Sequence, residues 1–511
     1  MRNSTLQPGS DLDSTVAEAT DADEPSAPRA KPETPVLSRR KLLWQFGAAS
    51  GVALLGANVT TAQPAHDMAN MPGMDHSKPP TPPVVVPTAP PSVTPPAAQT
   101  KPANAPTARP VAGGNKLAKY QPVVGPNGRT LPFKLVDGVK VFHLIAEVVA
   151  HKFTDGLEVE AWGYNGGTPG PLIEAVEGDR IRIYVTNHLP EPTTVHWHGL
   201  FLPSGMDGVS GLTQKPIEVD DTHRYEFTLT KPGTFMYHPH FDEMIQIALG
   251  MVGMIVVHPK VPARETRRVR DYSWMIHEWK VDIGAKRPDP MAMNDFNVLT
   301  INSKCFPSTA PVLAEVGDLV RIRIGNLGPM DSHPIHLHGY AFEVVYTDGG
   351  PVPRTARWPE TTVLVPVGAC RVIEFIADTP GDWAIHCHMT HHVMNQMGHD
   401  VANVIGAKTD KIGHKINKQI PGYMVMGETG MGDMMEMKMP QNSISMRGGP
   451  GPFSNIDMGG MFTIVKVRQK LPANGADPGW YENPPGTVAT NATAQELTRD
   501  SIQTTRKPKV L

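Results

Sequence analysis

The sequence is short of cysteine, of net charge and of long apolar runs, and each shortage removes a class of protein. Three cysteines in 511 residues cannot make a disulfide scaffold. A formal net charge of −3, with 19% charged residues and no long block of Lys or Arg, argues against a nucleic-acid partner. The mildly apolar stretch after Leu43 falls short of the roughly 18 residues that span a bilayer, so no stable membrane insertion is expected. Proline and glycine are abundant instead, at 52 and 47 residues, which argues against a helical bundle and for many turns or an extended linker. The length leaves room for two or three domains of about 150 residues each.

The N-terminal part reads as an address and a spacer. Residues 1–37 are polar and acidic, and Ser38-Arg39-Arg40-Lys41-Leu42-Leu43 then opens a stretch that ends near the small residues Thr60-Thr61-Ala62. This predicts a twin-arginine signal region over 1–62, and hence an exported, periplasmic protein. Residues 63–121 have no core; 12 of the 32 residues from Pro79 to Pro110 are proline, as in an extended spacer. His66, Met68, Met71, Met74 and His76 precede it, either a weak copper-catching segment or a plain polar tail.

From about residue 130 the chain turns to short β-branched runs broken by Gly, Pro and Asn, such as Val139-Lys140-Val141-Phe142-His143-Leu144 and Met254-Ile255-Val256-Val257. That pattern predicts an all-β sandwich or barrel. It also repeats. Glu174-Ala175-Val176-Glu177-Gly178-Asp179-Arg180-Ile181-Arg182-Ile183 returns as Ala314-Glu315-Val316-Gly317-Asp318-Leu319-Val320-Arg321-Ile322-Arg323-Ile324. Each copy is followed by a His-x-His pair, which signals duplicated domains over 122–262 and 263–468.

Four His-x-His pairs carry the chemistry: His196/His198, His238/His240, His336/His338 and His386/His388. Residues two apart on a strand share a face, so each pair presents two imidazoles to one place. Two pairs per domain give eight imidazoles, enough for about three metal ions. Cys387 lies between His386 and His388 and so points to the opposite face. It can bind another ion inside the domain, together with His392, Met397 and an upstream His. One Cys, two His and a weak axial Met make a trigonal blue-copper electron-transfer site, whereas zinc favours paired cysteines or three His with a carboxylate.

With these four motifs in this order, the sequence resembles the multicopper oxidases, which include laccases, cuprous oxidases and bacterial copper-resistance oxidases. The resemblance covers roughly residues 130–405 and the strand Met461–Val467. It implies two cupredoxin-like Greek-key β-sandwich domains. By the family pattern, His333, Cys387, His392 and Met397 form the type 1 copper site, and His196 and His336 hold the type 2 copper. His198, His238 and His388 take one type 3 ion, and His240, His338 and His386 the other. A small reducing substrate or metal ion gives up electrons at type 1, and dioxygen is reduced to water at the trinuclear cluster.

Asp207 stands where family members often carry a proton-delivering acid. A second acid often precedes the last type 1 His, but here His391 occupies that place; an imidazole titrating near pH 6.5 can substitute. Only 93 residues separate His240 from His333, which leaves no room for a third sandwich. This resembles the two-domain oxidases, whose clusters are split between neighbouring subunits of a homotrimer. Ten methionines between Met424 and Met461, largely in an insertion over 411–460, read as a Cu(I)-capturing loop or as a flexible lid; residues 469–511 form a tail. Cys305 and Cys370 are spare, either a disulfide or two core residues. The rival readings are a copper nitrite reductase, which needs fewer histidines, and a non-enzymatic copper-binding protein, which has no need of His386-Cys387-His388.

Overall fold

The computed structural model describes residues 120–262, 264–282, 284–396, 442, 444–446 and 448–504. The signal region, the proline-rich spacer up to residue 119, and the methionines from Met424 to Met439 lie outside them. Among the described residues, strands dominate; the α-helices are two short ones, Glu243–Ala248 and Ala494–Arg499. Among the described residues, no helix is long and apolar enough to cross a membrane.

The strands form two β-sandwiches of one design. In the first, Val139–Thr154 pairs parallel with Arg180–His188, and Ile173–Val176 pairs parallel with Gly253–His258. In the second, Val269–Trp279 pairs parallel with Leu319–Asn326, and Val312–Glu315 pairs parallel with Phe462–Arg468. Each sandwich closes over its own core, around Leu144, Ile183, Trp197 and Tyr237 in one and Ile276, Ile322, Ile335 and Val465 in the other.

The repeated sequence is a repeated device. Its turn places Gly178 at φ +91° and Gly317 at φ +92°, where a side chain is strained. The next residue locks the turn from its side chain: Asp179 accepts from the Val176 amide at 2.7 Å, and Asp318 from the Glu315 amide at 2.9 Å. Each aspartate also pairs with a cation on the neighbouring strand, Lys140 at 2.5 Å and Arg270 at 2.7 Å.

The sandwiches meet through apolar surface rather than a loose linker. Met236, Met254 and Val256 from the first pack on Met275, Leu327 and Cys370 from the second. Phe153 and Leu157 pack on Trp279 and Cys305 in a second cluster. At Gly325 a Cβ would stand 2.9 Å from the Met236 sulfur, so a larger residue there would displace the methionines packed at this contact. Arg323 adds a polar tie, donating to the Thr234 hydroxyl at 2.8 Å.

The spare cysteines settle into these contacts. Cys305 and Cys370 are unbridged and fully buried, and burial pushes both thiols up to about 12. The disulfide alternative is therefore corrected: both are small core residues. Two of the ten methionines are core residues as well, since Met446 and Met461 are buried. The described end of the insertion folds back onto the second sandwich. Asn395 donates to the Phe306 and Ser445 carbonyls, and the Gln396 side chain donates to the Asn442 carbonyl.

Candidate metal centres

The strands His333–Leu337 and Gly381–Cys387 lie side by side, with Ile335 opposite Cys387 and His336 opposite His386. Alternation then sorts the side chains. Ile335, Leu337 and Cys387 enter the core, while His336, His338, His386 and His388 gather outside it. In the first sandwich His196 bridges His238 in the same way, and Trp197 enters the core.

Inside the second sandwich, Cys387 meets two imidazoles. Its Sγ lies 3.7 Å from His333 Nδ1 and 3.6 Å from His392 Nδ1, and these two nitrogens are 3.1 Å apart. All three residues are buried. Burial lowers His333 to about 3 and also lowers His392, so both rings are neutral ligands at ordinary pH. Burial pushes the Cys387 thiol up to about 12, so its thiolate needs a cation beside it. Sulfur and two imidazole nitrogens converging in a buried pocket suit copper. Met397 lies outside the described residues. The loop carrying His392 is held from behind, where Met461 donates its amide to the His392 carbonyl at 3.0 Å.

Two carboxylates stand behind the imidazoles. Glu278 Oε2 is 3.8 Å from His333 Nε2, and each of these buried atoms lacks a hydrogen-bond partner. The other oxygen, Oε1, accepts from the Met330 and Asp331 amides at 2.5 and 2.8 Å. Burial, with the charge of Asp331, pushes the Glu278 carboxyl up to about 8. Asp331 Oδ2 lies 3.4 Å from His392 Nε2. Each carboxylate thus faces the outer nitrogen of a ring whose inner nitrogen faces sulfur, an arrangement that orients imidazole ligands. Sequence reasoning missed both. Glu278 alone left a trace, as an acid in the apolar strand Val269–Trp279.

The eight histidines of the four His-x-His pairs form two quartets. In the first, His198 Nδ1 and His238 Nε2 point at each other across 3.2 Å, and the His196 ring lies 5.3 Å from His238 and 5.7 Å from His240. In the second, His338 Nε2 and His386 Nε2 are 3.2 Å apart, and the His336 ring is 5.3 Å from His388. Backbone carbonyls fix several rings through Nδ1: Asp207 holds His196 at 2.8 Å, Thr361 holds His336 at 2.8 Å, Pro239 holds His238 at 2.7 Å, and Cys387 holds His386 at 2.8 Å. Each such ring presents Nε2 to the quartet. Burial lowers His238 to about 3, and it lowers His198, His338 and His386 too, keeping them unprotonated.

The quartets do not touch. Among the described residues, no ring contact or hydrogen bond joins a histidine of one to a histidine of the other. The Asp207 carboxylate lies 3.5 Å from His196 Nδ1 and is partly exposed. His391 is exposed, in the turn Thr390–Val393 next to His392. Glu243, 3.5 Å from His238 and 3.6 Å from His240, is a further acid that the sequence reading did not mark.

Two family models, each described as multicopper oxidase, match residues 146–262 and 282–406. Over 124 residues the chain is 40% identical to copper resistance protein A of Escherichia coli, covering 24% of this chain and 20% of that protein. Over 225 residues it is 32% identical to laccase-1 of Cryptococcus neoformans var. grubii, covering 38% of this chain and 35% of that one. It thus spans about a third or less of the length of these curated relatives. The blue copper oxidase structure from Nitrosomonas europaea is 26% identical, with a TM-score of 0.49 over 64% of this chain and 85% of that one.

Proposed function

The chain belongs to the multicopper oxidase family, and on that premise we propose that it couples one-electron oxidation of a small reducing substrate to the four-electron reduction of dioxygen to two waters. One observation carries the reading: a buried Cys387, His333 and His392 triad stands back to back with the His336, His338, His386 and His388 quartet on the outer face of the same strands. The residues fit copper, which when bound supplies one-electron redox at the triad and dioxygen reduction at the histidines.

The chain's own groups do the rest. Cys387 is joined through its backbone to both His386 and His388, a short covalent connection from the buried triad to the outer quartet. Glu278 and Asp331 face the outer nitrogens of His333 and His392. Asp331 is also partly exposed, so the reductant meets the protein on this side. Asp207 lies between solvent and His196, positioned to pass the four protons that two waters require. His391 takes the place of the second acid.

The two separated quartets support a homotrimer in which His196, His198, His238 and His240 of one subunit complete a site with His336, His338, His386 and His388 of the next. Each complete unit would then carry one type 1, one type 2 and two type 3 ions, and Met397 would be the fourth type 1 ligand. The reductant is a phenol, an aromatic amine, or a metal ion such as Cu(I) or Mn(II). Residues 1–62 address the folded chain to the periplasm.

The test is oxygen uptake by the copper-loaded protein with a reducing dye, alongside sedimentation. One dioxygen consumed per four electrons, in a trimer whose copper content and activity fall together on dilution, is the expected result. Copper binding without oxygen uptake leaves the non-enzymatic reading standing, and an active, fully coppered monomer removes the split cluster.

A further inference from the structure

A cavity of about 640 Å³ lies between the two sandwiches, within the ~300–1,000 Å³ typical of small-molecule sites. It sits away from the paired histidines of the two quartets, although His258 is among its lining residues. Gly233 and Val257 line it, and they pair at one end of a two-strand ladder whose other end, Tyr237 opposite Gly253, leads into His238. Four residues of strand put roughly 13 Å between these ends. The lining is strongly cationic, with seven arginines and three carboxylates.

Its carboxylates are already engaged. Asp271, 2% exposed, accepts Arg323 through two bonds of 2.8 Å and Arg321 through one of 3.1 Å. Glu374 accepts Arg321 at 2.5–2.6 Å. Glu265 accepts the Arg267 amide at 2.8 Å and its guanidinium at 3.4 Å. Arg321 and Arg323 are thereby fixed as a rigid, partly buried floor.

The surplus charge lies along the exposed part. Arg264 and Arg354 have no acidic partner among the described residues. Arg357 is anchored by its Nε to the Val352 carbonyl at 2.9 Å, which leaves its terminal nitrogens available. These three come from two places, Arg264 from the segment joining the sandwiches and Arg354 and Arg357 from the turn Arg354–Ala356 and its successor. Guanidinium forks are planar donors that match phosphate and carboxylate oxygens. A monovalent ion leaves most of this charge unanswered, whereas several oxyanion groups on one compact molecule answer it.

We propose that this cavity is a binding site for a compact multivalent oxyanion, one carrying two or more phosphate or carboxylate groups. Arg264, Arg354 and Arg357 grip the ligand over the fixed Arg321–Asp271–Arg323 floor. The ligand spans the joint between the sandwiches, and the site is independent of the copper chemistry.

The probes are inorganic triphosphate and citrate, titrated calorimetrically into the full chain at constant ionic strength. Saturable binding is expected, weakened at least tenfold in an Arg264→Ala/Arg354→Ala double variant. Arg180→Ala serves as control, because Arg180 pairs with Glu226 on the outer sheet of the first sandwich. Both substitutions are at exposed positions, and unchanged thermal unfolding of the ligand-free variants verifies their folds. Binding of triphosphate alone identifies a phosphate site, and binding of both probes a general oxyanion site. Absence of saturable binding for either probe, or equal weakening by Arg180→Ala, overturns the proposal.

Discussion

The two sandwiches share their parallel strand pairings, turn chemistry and outer histidine pairs, yet their interiors differ where the second holds its sulfur. Under the first sandwich's motif, Pro239 stands in the place of Cys387 and Thr193 in that of His333. There Thr193 donates to Gln246 Oε1 at 2.7 Å, and Gln246 Nε2 donates to Glu191 at 3.0 Å and to the Pro192 carbonyl at 2.9 Å. That network is saturated. In the second sandwich the matching interior leaves His333 Nε2 and Glu278 Oε2 without partners, and three donor atoms converge on one another. A saturated network has no demand for a metal, while unpartnered buried donors are costly until an ion orders them. The outer faces are alike in the two copies, while one interior is a closed polar network and the other a set of converging donor atoms.

The largest expected effect comes from removing the sulfur. Cys387→Ser should abolish the intense blue absorption and oxidation of every donor while the eight outer histidines retain their copper. Pro239→Ala, its counterpart in the first sandwich, should leave the blue absorption untouched. Retained turnover in Cys387→Ser, measured with the same donors, removes the triad as the electron entry.

A smaller contrast lies behind the ligands. Glu278→Gln keeps the shape but replaces the carboxyl that faces His333 Nε2 with an amide, and should lower copper affinity at the triad by roughly 10–100-fold and shift its reduction potential. Gln246→Leu strands Thr193 and Glu191, costing about 1–3 kcal/mol of stability with no change in reduction potential. If both variants alter stability alone, Glu278 is a packing residue and the contrast between the interiors fails.

The pH response of the metal-free protein divides these groups further. Burial holds His238 and His333 near 3 in the folded chain, below the ordinary 6.5. The unfolded chain therefore binds more protons between those values, and stability falls as pH drops from about 6.5 towards 3. Glu278 acts in the opposite sense. Its carboxyl, raised from 4.5 to about 8, favours folding below 4.5, and this contribution is lost as pH rises through 8. Thermal unfolding across pH 4–9 should show both limbs, and Glu278→Gln should flatten the alkaline limb only. A variant that flattens the acid limb instead reverses the assignment.

Much of this was legible because periodicity and spacing are local. The Gly178-Asp179 and Gly317-Asp318 turns mark the repeat, and alternation through His386-Cys387-His388 places sulfur inside and imidazoles outside. Glu278 and Asp331 were not legible in that way. Glu278 lies 55 residues before His333 in the chain, and only the pairing of strands brings it behind that ring. The arginine cavity was hidden for the same reason, since its residues come from both sandwiches and the segment between them. Cys305 and Cys370 stayed ambiguous because burial, rather than spacing, decides whether two thiols meet.

The smallest expected effect concerns the methionines that precede the strand Phe462–Arg468 in the second half of the sequence, a feature the first half lacks. Met446 and Met461 are buried, and Asn442 accepts from the Glu158 amide at 3.1 Å, so the structural part of the insertion begins by residue 442. A deletion should accordingly stop at residue 440. Thioethers favour Cu(I) over phenols, and each is a weak ligand, so several act together by raising the local concentration of the ion. Removal of residues 424–440 should slow Cu(I) oxidation several-fold and leave phenol oxidation unchanged or faster. Single Met→Leu substitutions in that range should change either rate by less than twofold. The ratio of the two rates is the decisive quantity, because a lid or a fold element moves both together, and an unchanged ratio removes the capture role.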